Sequence, residues 1–343
     1  MRCLAIGDTL LSNEHFDMVL KNCGLFEKYR SILWKEGQSR SQFREVIRRL
    51  ETLGSRAYIP SDEIFNAIQD VEVLFIHYHP VPGELIEAAP DLKYILSARG
   101  GVENIDIAAA KERGITIINC PAHNAVAVAE YTIGLIISEM RNISRADASL
   151  RKGIWRESYP NAERIGELSD AVVGLIGFGT IGRLVAERLR AFGTTVLVYD
   201  PYVSASEIEA EGCKAVTMEV LLKTADVVSL HGRIPNGAPP LISAKELSIM
   251  KPTSYLINTA RAVLVDMDAL YDALKNRKIM GAAIDVFPKE PLPENYPFLK
   301  LDNCTITNHR GGDTYNSYAK APVLLLKQFK ELLDTGKTRF MIR

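Results

Sequence analysis

The sequence predicts an α/β protein made of two doubly wound parallel-sheet domains. Three observations carry that expectation. The 343 residues allow two domains at roughly 100–200 residues each. Short apolar runs alternate with stretches of helical period in both halves of the chain. A glycine-rich turn directly follows one of the apolar runs, at residues 177–182.

In the first half, Arg2–Ile6 reads as a strand. Phe43, Val46, Ile47 and Leu50 follow the i, i+3, i+4, i+7 pattern of an amphipathic helix, which Gly54 ends. A short strand is expected at Ser55–Ile59, then a helix capped by Ser61 and running through Ile68. Val71–Ile76, Lys93–Ser97 and Ile115–Ile118 read as strands, with helices around Gly83–Ala89 and Asp106–Arg113 between them. Residues 9–40, with Trp34 among them, do not fit this rhythm and receive no assignment. Ala125–Arg145 reads as one long buried helix, and the more polar Arg151–Leu168 suits a connection. A second series of strands follows at Val172–Ile176, Thr195–Tyr199, Val227–Leu230, Ser254–Ile257, Ala282–Val286 and Cys304–Thr307. Its helices are Ile181–Phe192, Val220–Thr224, Ala244–Met250 and Met267–Asn276, with Ser317–Leu333 last.

Composition narrows the function. Apolar residues make up 47% and charged residues 24%, which excludes a disordered chain or a fibrous rod. With 41 basic and 42 acidic residues the net charge is −1, so the broad positive field that gathers nucleic acid or anionic lipid is missing. No apolar run reaches the roughly 18 residues of a membrane span, and Met1–Asp8 is too short and too soon charged for a signal peptide. The scattered cysteines 3, 23, 120, 213 and 304 form no C-x-x-C pair. They point to a reducing cytoplasm, with neither a disulfide framework nor a zinc site, and no metal is expected. His77 and His79, at the end of a strand, either line a pocket or cap the strand in solvent.

Gly177-Phe-Gly179-Thr180-Ile181-Gly182 follows a strand and opens a helix. Gly177 suits the tight turn, Gly179 lets the backbone approach a pyrophosphate, and Gly182 lets helix and strand pack closely. The helix N-terminus offers amides to the phosphates. Asp200 ends the next strand, 18 residues after Gly182, where an acid would bind ribose hydroxyls and repel a 2′-phosphate. Pro201 and Tyr202 follow it, with no adjacent arginine. The expected cofactor is therefore NAD, in a Rossmann domain.

Ligands of open α/β sheets bind beyond the carboxyl ends of the strands. There the second series places Arg261, then Asp285 and Glu290, then His309. These groups suit hydride transfer on a 2-oxo acid. Arg261 can fork onto the carboxylate and carbonyl oxygen. His309 can give or take the proton. Glu290 can accept a hydrogen bond from the far ring nitrogen and favour the protonated ring.

From about Ile95 to Thr314 the chain resembles the D-isomer-specific 2-hydroxyacid dehydrogenases. The matching stretches are Arg99–Asp106, Asn124–Glu130, Gly177–Gly182, Ile257–Arg261, Gly281–Pro291 and His309–Gly312. The resemblance implies a catalytic set of Arg261, Glu290 and His309. It implies cofactor contacts at Thr180, Ile181, Asp200, Thr259, Ala260, Arg261, Asp285, His309 and Gly312, beside the glycines of the turn. It implies a substrate carboxylate held by the amides of Gly100 and Gly101, which physics allows as an anion nest. It also implies a flavodoxin-like substrate domain formed by residues 1–124 and 314–343, a Rossmann domain at 125–313 inserted into it, and a homodimer.

Four positions depart from the family pattern. Ala262, Asn308, Arg310 and Arg99 stand where the family usually has Gly, Pro, an apolar residue and often Gly. Arg99 or Arg310 is expected to read an extra anionic group on the substrate. The functional expectation is an NAD-dependent oxidoreductase of a small D-2-hydroxy or 2-oxo acid. The alternatives are an NAD(H)-sensing corepressor-like protein and phosphite oxidation on the same scaffold; Glu290 counts against formate chemistry, where Gln is usual.

Overall fold

The computed structural model describes residues 1–343 except Ala122 and Asn236. It divides into two compact units, Met1–Asn124 with Thr314–Arg343, and Ala125–Asp313.

The first unit opens with β1 (Arg2–Gly7), α1 (Asn13–Leu20), β2 (Lys28–Leu33), α2 (Arg40–Leu53) and α3 (Asp62–Ala67). It continues with β3 (Val73–Ile76), α4 (Gly83–Glu87), β4 (Tyr94–Ser97), α5 (Ile107–Glu112) and β5 (Thr116–Asn119). The second unit holds α6 (Ala125–Arg141), α7 (Ile143–Leu150), β6 (Val172–Ile176), α8 (Thr180–Ala191), β7 (Thr195–Tyr199), α9 (Ala205–Ala210) and β8 (Lys214–Ala215). After these come α10 (Met218–Thr224), β9 (Val227–Leu230), α11 (Ala244–Ile249), β10 (Tyr255–Asn258), α12 (Met267–Lys275), β11 (Gly281–Ile284) and β12 (Cys304–Ile306). The chain then returns to the first unit through α13 (Tyr315–Thr335) and β13 (Met341–Ile342).

The first sheet runs β13-β5-β4-β3-β1-β2, parallel except for β13. The second runs β12-β11-β10-β9-β6-β7-β8, parallel throughout. The parallel parts have the flavodoxin-like and Rossmann strand orders respectively. The inner strands β3, β9, β10 and β11 are buried at every residue, as continuous apolar runs require when helices cover both faces. Successive residues serve opposite faces. Leu4, Ile6, Leu74 and Ile95 pack on one side of the first sheet; Cys3, Ala5, Phe75 and Leu96 pack on the other. The second sheet divides likewise, with Val228, Leu256 and Ile284 on one face and Val227, Ile257 and Ala283 on the other.

Several expectations are corrected. Residues 9–40 contain α1 and the edge strand β2, which pairs with β1. Ser55–Ile59 is no strand: Gly54 takes a φ of 66° and Gly54–Arg56 forms a 3₁₀ turn. Ser61 stands at the N-cap of α3 but makes no side-chain capping bond. The long helix over 125–145 breaks at Asn142, whose φ of 58° is left-handed, a conformation asparagine tolerates. Asn142 Nδ2 donates to Asn161 Oδ1 at 2.8 Å, so the break is held by a residue of the following stretch. That stretch, 151–168, belongs to the second unit and carries a 3₁₀ turn at Ala162–Arg164. α9 and β8 had no assignment; α9 is closed by a capping box between Ser204 and Glu207. Among the described residues, no helix is long and apolar enough to cross a membrane.

Candidate active site

All strands of the second sheet are parallel, so their carboxyl ends share one edge, and the site residues leave from five of them. β6 ends in the glycine turn. Gly177 has a φ of 103°, and a Cβ there would lie 2.5 Å from Gly232 N. A Cβ on Gly182 would lie 2.3 Å from Gly177 O. Around Gly179 the result is opposite: nothing lies within 4 Å of where its Cβ would be. Two glycines are therefore required by packing, while the third opens space over the N-terminus of α8, where Thr180 and Ile181 begin the helix. First-turn amides have no carbonyl one turn back to bond. This is the cradle a dinucleotide pyrophosphate needs.

Asp200, just past β7, accepts from Phe178 N at 2.6 Å through Oδ2 and from Tyr202 N at 2.8 Å through Oδ1. It ties its own turn to the glycine turn, and each oxygen keeps a lone pair for a hydroxyl. Arg183, on the first turn of α8, pairs with Glu211 and lies 4.7 Å over the Phe178 ring.

β10, β11 and β12 are consecutive neighbours. β10 leads to buried Thr259, whose hydroxyl is 2.8 Å from that of Thr132 on α6. Since Thr132 donates to Val128 O at 2.8 Å, Thr259 is the donor between them. Asn258 shapes the turn that follows: its Oδ1 accepts from Ala260 N at 3.1 Å and its Nδ2 donates to Arg261 O at 2.9 Å. Arg261 is exposed, and its Nη1 donates to Ala260 O at 2.7 Å.

β11 leads to Asp285, which is 1% exposed. Its Oδ1 accepts from Thr307 Oγ1 at 2.6 Å and Arg310 N at 2.9 Å, and its Oδ2 from Gly311 N at 2.9 Å. Burial pushes this carboxyl up, against those donors. Asp285 thus anchors the loop that carries His309, with Gly311 and Gly312 in the turn after it. His309 takes a φ of 55°. Its Nδ1 lies 2.8 Å from Glu290 Oε2, while Glu290 Oε1 accepts from Phe287 N at 2.9 Å. Both side chains keep some exposure, 51% for His309 and 35% for Glu290.

The two unusual cations are already engaged. Arg310 pairs with Asp313 at 2.7 Å. Arg99, in the first unit, is 6% exposed. Its Nη1 donates to Asn104 Oδ1 at 3.0 Å, and its Nη2 stands 3.5 Å from Glu103 and 3.8 Å from Glu51. In the loop after β4, the carbonyls of Arg99 and Gly100 accept from Cys120 N and Asn119 Nδ2, both at 2.7 Å. A Cβ on Gly100 would lie 3.2 Å from Pro121.

Sequence reasoning missed a second carboxylate–imidazole pair, Asp8 and His77, at the carboxyl edge of the first sheet. His77 and His79 are not strand caps in solvent; both are buried. The signal was an acid directly after the first strand and a histidine directly after the third. Among the described residues, no cluster of three or more His, Cys, Asp or Glu could hold a metal ion.

Residues 133–311 match the family model described as D-isomer specific 2-hydroxyacid dehydrogenase, NAD binding domain. The chain is 37% identical over 295 residues to D-3-phosphoglycerate dehydrogenase of Methanocaldococcus jannaschii, covering 84% of this chain but 55% of that protein. It is 35% identical over 279 residues to hydroxypyruvate reductase of Thermotoga maritima, covering 80% of this chain and 89% of that one. The chain thus spans about half the length of the phosphoglycerate dehydrogenases it matches. The solved NAD-complexed D-isomer specific 2-hydroxyacid dehydrogenase of Lactobacillus delbrueckii superposes with a TM-score of 0.78 at 22% identity, over all of both chains; that likeness concerns the fold. The chain belongs to the D-isomer specific 2-hydroxyacid dehydrogenase family, and its second unit is that family's NAD-binding domain.

Proposed function

We propose that this protein is an NAD-dependent oxidoreductase that interconverts a small D-2-hydroxy acid and the corresponding 2-oxo acid. The observation that carries the reading is the 2.8 Å contact between His309 Nδ1 and Glu290 Oε2, beside the strand that delivers Arg261, in a unit whose glycine turn is shaped for a dinucleotide. Family membership supports it. NAD, when bound, supplies the hydride-carrying ring.

The chain's own groups do the rest. Gly179 and the first amides of α8 hold the pyrophosphate, and Asp200 takes the ribose hydroxyls. Glu290 is an acceptor, so Nδ1 of His309 carries its hydrogen toward it. Nε2 is then the atom that gives a proton to the carbonyl oxygen in reduction and takes the hydroxyl proton in oxidation. Arg261 forks onto the carboxylate and the adjacent oxygen.

The test is NADH oxidation by the purified protein against hydroxypyruvate, glyoxylate, pyruvate and phosphohydroxypyruvate. Turnover of at least one, lost in His309→Ala with NADH affinity retained, supports the reading. Intact NADH binding with no turnover on any of them overturns it.

A further inference from the structure

Arg183 is a cation beside the cofactor cradle of the second unit, with no part in the hydride chemistry. It stands on the first turn of α8, one residue past the last glycine of the turn, and its amide donates to Gly179 O at 3.0 Å. Its guanidinium lies 4.7 Å from the centre of the Phe178 ring. Phe178 belongs to the glycine turn, and its amide donates to Asp200 Oδ2 at 2.6 Å. A single residue therefore touches both the guanidinium and the carboxylate that takes the ribose hydroxyls.

The guanidinium is held away from that ribose. Its Nη1 donates to Glu211, the residue that ends α9. Glu211 is itself fixed by the main chain: its amide donates to Ile208 O at 3.2 Å, and the next amide, of Gly212, donates to Glu209 O at 2.9 Å. Gly212 turns the chain there with a φ of 70°. Glu207, on the same helix, is engaged elsewhere. Its Oε2 accepts from Ser204 N at 3.1 Å and from Ser204 Oγ at 2.9 Å, so it caps α9 and does not compete for Arg183. Stability is a poor reason for the Arg183–Glu211 pair. The two side chains are 32% and 40% exposed, and ion pairs with that much water around them contribute little.

Cofactor chemistry supplies a better reason. NADP differs from NAD by a phosphate on the adenosine ribose, which carries close to two negative charges near neutral pH. A carboxylate at the position of Asp200 repels that group. A guanidinium would attract it, because the planar fork of donors matches phosphate oxygens. Pro201 and Tyr202, directly after Asp200, bring no cation. The glycine turn brings one in Arg183, and Glu211 cancels its charge and turns its donors toward α9.

We propose that Glu211 is a positioning residue for cofactor choice: by holding Arg183 toward α9 it withholds a guanidinium from a ribose phosphate, and so adds to the repulsion by Asp200 in selecting NAD over NADP. This rests on the place given above to Asp200 at the ribose. The test is fluorescence titration with NADH and with NADPH, without substrate, of the wild type, Asp200→Asn, Glu211→Gln, the double variant of these two, and that double variant carrying Arg183→Ala. The wild type binds NADH more tightly, and Asp200→Asn narrows the preference. Adding Glu211→Gln to Asp200→Asn tightens NADPH threefold or more, with NADH changed less than twofold, and Arg183→Ala removes the gain. Glu211→Gln melts at nearly the wild-type temperature. A gain in NADPH affinity below threefold, a gain shared by NADH, or one that survives Arg183→Ala overturns the inference. If Asp200→Asn leaves the NADPH-to-NADH ratio of the wild type, the placement of Asp200 fails. In that case, or if Asp200→Asn does not fold, Glu211→Gln with and without Arg183→Ala decides the inference by the same threefold criterion.

Discussion

Glu290 joins the main chain to the ring of His309: its Oε1 accepts from Phe287 N at 2.9 Å while its Oε2 lies 2.8 Å from His309 Nδ1. A carboxylate so fixed leaves the imidazole one orientation and one tautomer. Replacing it with an amide of the same shape keeps the Phe287 bond but turns an NH₂ group toward Nδ1.

Glu290→Gln is therefore expected to lower turnover on the order of 10²–10⁴-fold, in the range set by general acid–base catalysis, with NADH affinity within a factor of about two. Groups acting as a unit are not additive, so Glu290→Gln combined with His309→Ala should lose no more than His309→Ala alone. Steady-state kinetics with a fluorescence titration of NADH checks both; a double variant much slower than His309→Ala would show that the residues act separately.

The glycine turn separates packing from binding. A Cβ at position 182 would meet Gly177 O at 2.3 Å, so Gly182→Ala should cost about 1–3 kcal/mol of stability and weaken NADH binding. Gly179→Ala has open space around it and should leave the melting temperature nearly unchanged while still weakening NADH binding at least tenfold, because the methyl occupies the path of the pyrophosphate. Thermal melts without cofactor, paired with NADH titrations, distinguish the two; equal destabilisation would refute the assignment.

His79 is fully buried, 5.3 Å from the Trp34 ring, and neither ring nitrogen is bonded among the described residues. Burial pushes its pKa down to about 3, and those of His123 and His231 to about 4. In the unfolded chain a histidine binds its proton near pH 6.5. Between that pH and the folded values the unfolded state takes up protons that the folded state refuses. Stability is thus full above pH 6.5 and falls on acidification toward pH 4, by about 1.4 kcal/mol per pH unit for each such ring. His79→Leu should raise stability at pH 7 by about 1–2 kcal/mol, since an unbonded polar group is removed, and reduce the acid slope by one proton's worth. Urea melts from pH 7.5 to 4.5 test this; an unchanged slope would contradict it.

Leu150, Ile154 and Trp155 are 54%, 56% and 79% exposed in one short stretch of the second unit, an apolar surface of the kind association covers. We expect a homodimer, and Ile154→Asp with Trp155→Asp should shift sedimentation toward the monomer. A wild type sedimenting as a monomer at micromolar concentration would exclude it.

The inner strands, buried on both faces, were the most legible in the sequence. Val227–Leu230 needs no more than its apolar run to be read. β2 escaped because Lys28, Arg30 and Ser31 interrupt its apolar residues. Ser55–Ile59 reads as a strand in the sequence, but Ile59 is 89% exposed and no strand among the described residues receives it. The break at Asn142 depends on Asn161, a partner that periodicity cannot reveal. At the site, His309 and Glu290 were legible because each follows a recognisable strand in one series. Asp8 and His77 stand 69 residues apart, and only the crossing that sets β1 beside β3 brings them together.

The short strand β13 runs antiparallel to β5, pairing Met341 with Ile118 and Ile342 with Ile117. Without it, the amides and carbonyls along that rim of β5 would stand bare beside isoleucines. β13 is therefore a stopper against polymerisation: deleting residues 339–343 should leave an expressed protein that joins rim to rim into fibrillar aggregates, visible by light scattering, even where its fold survives.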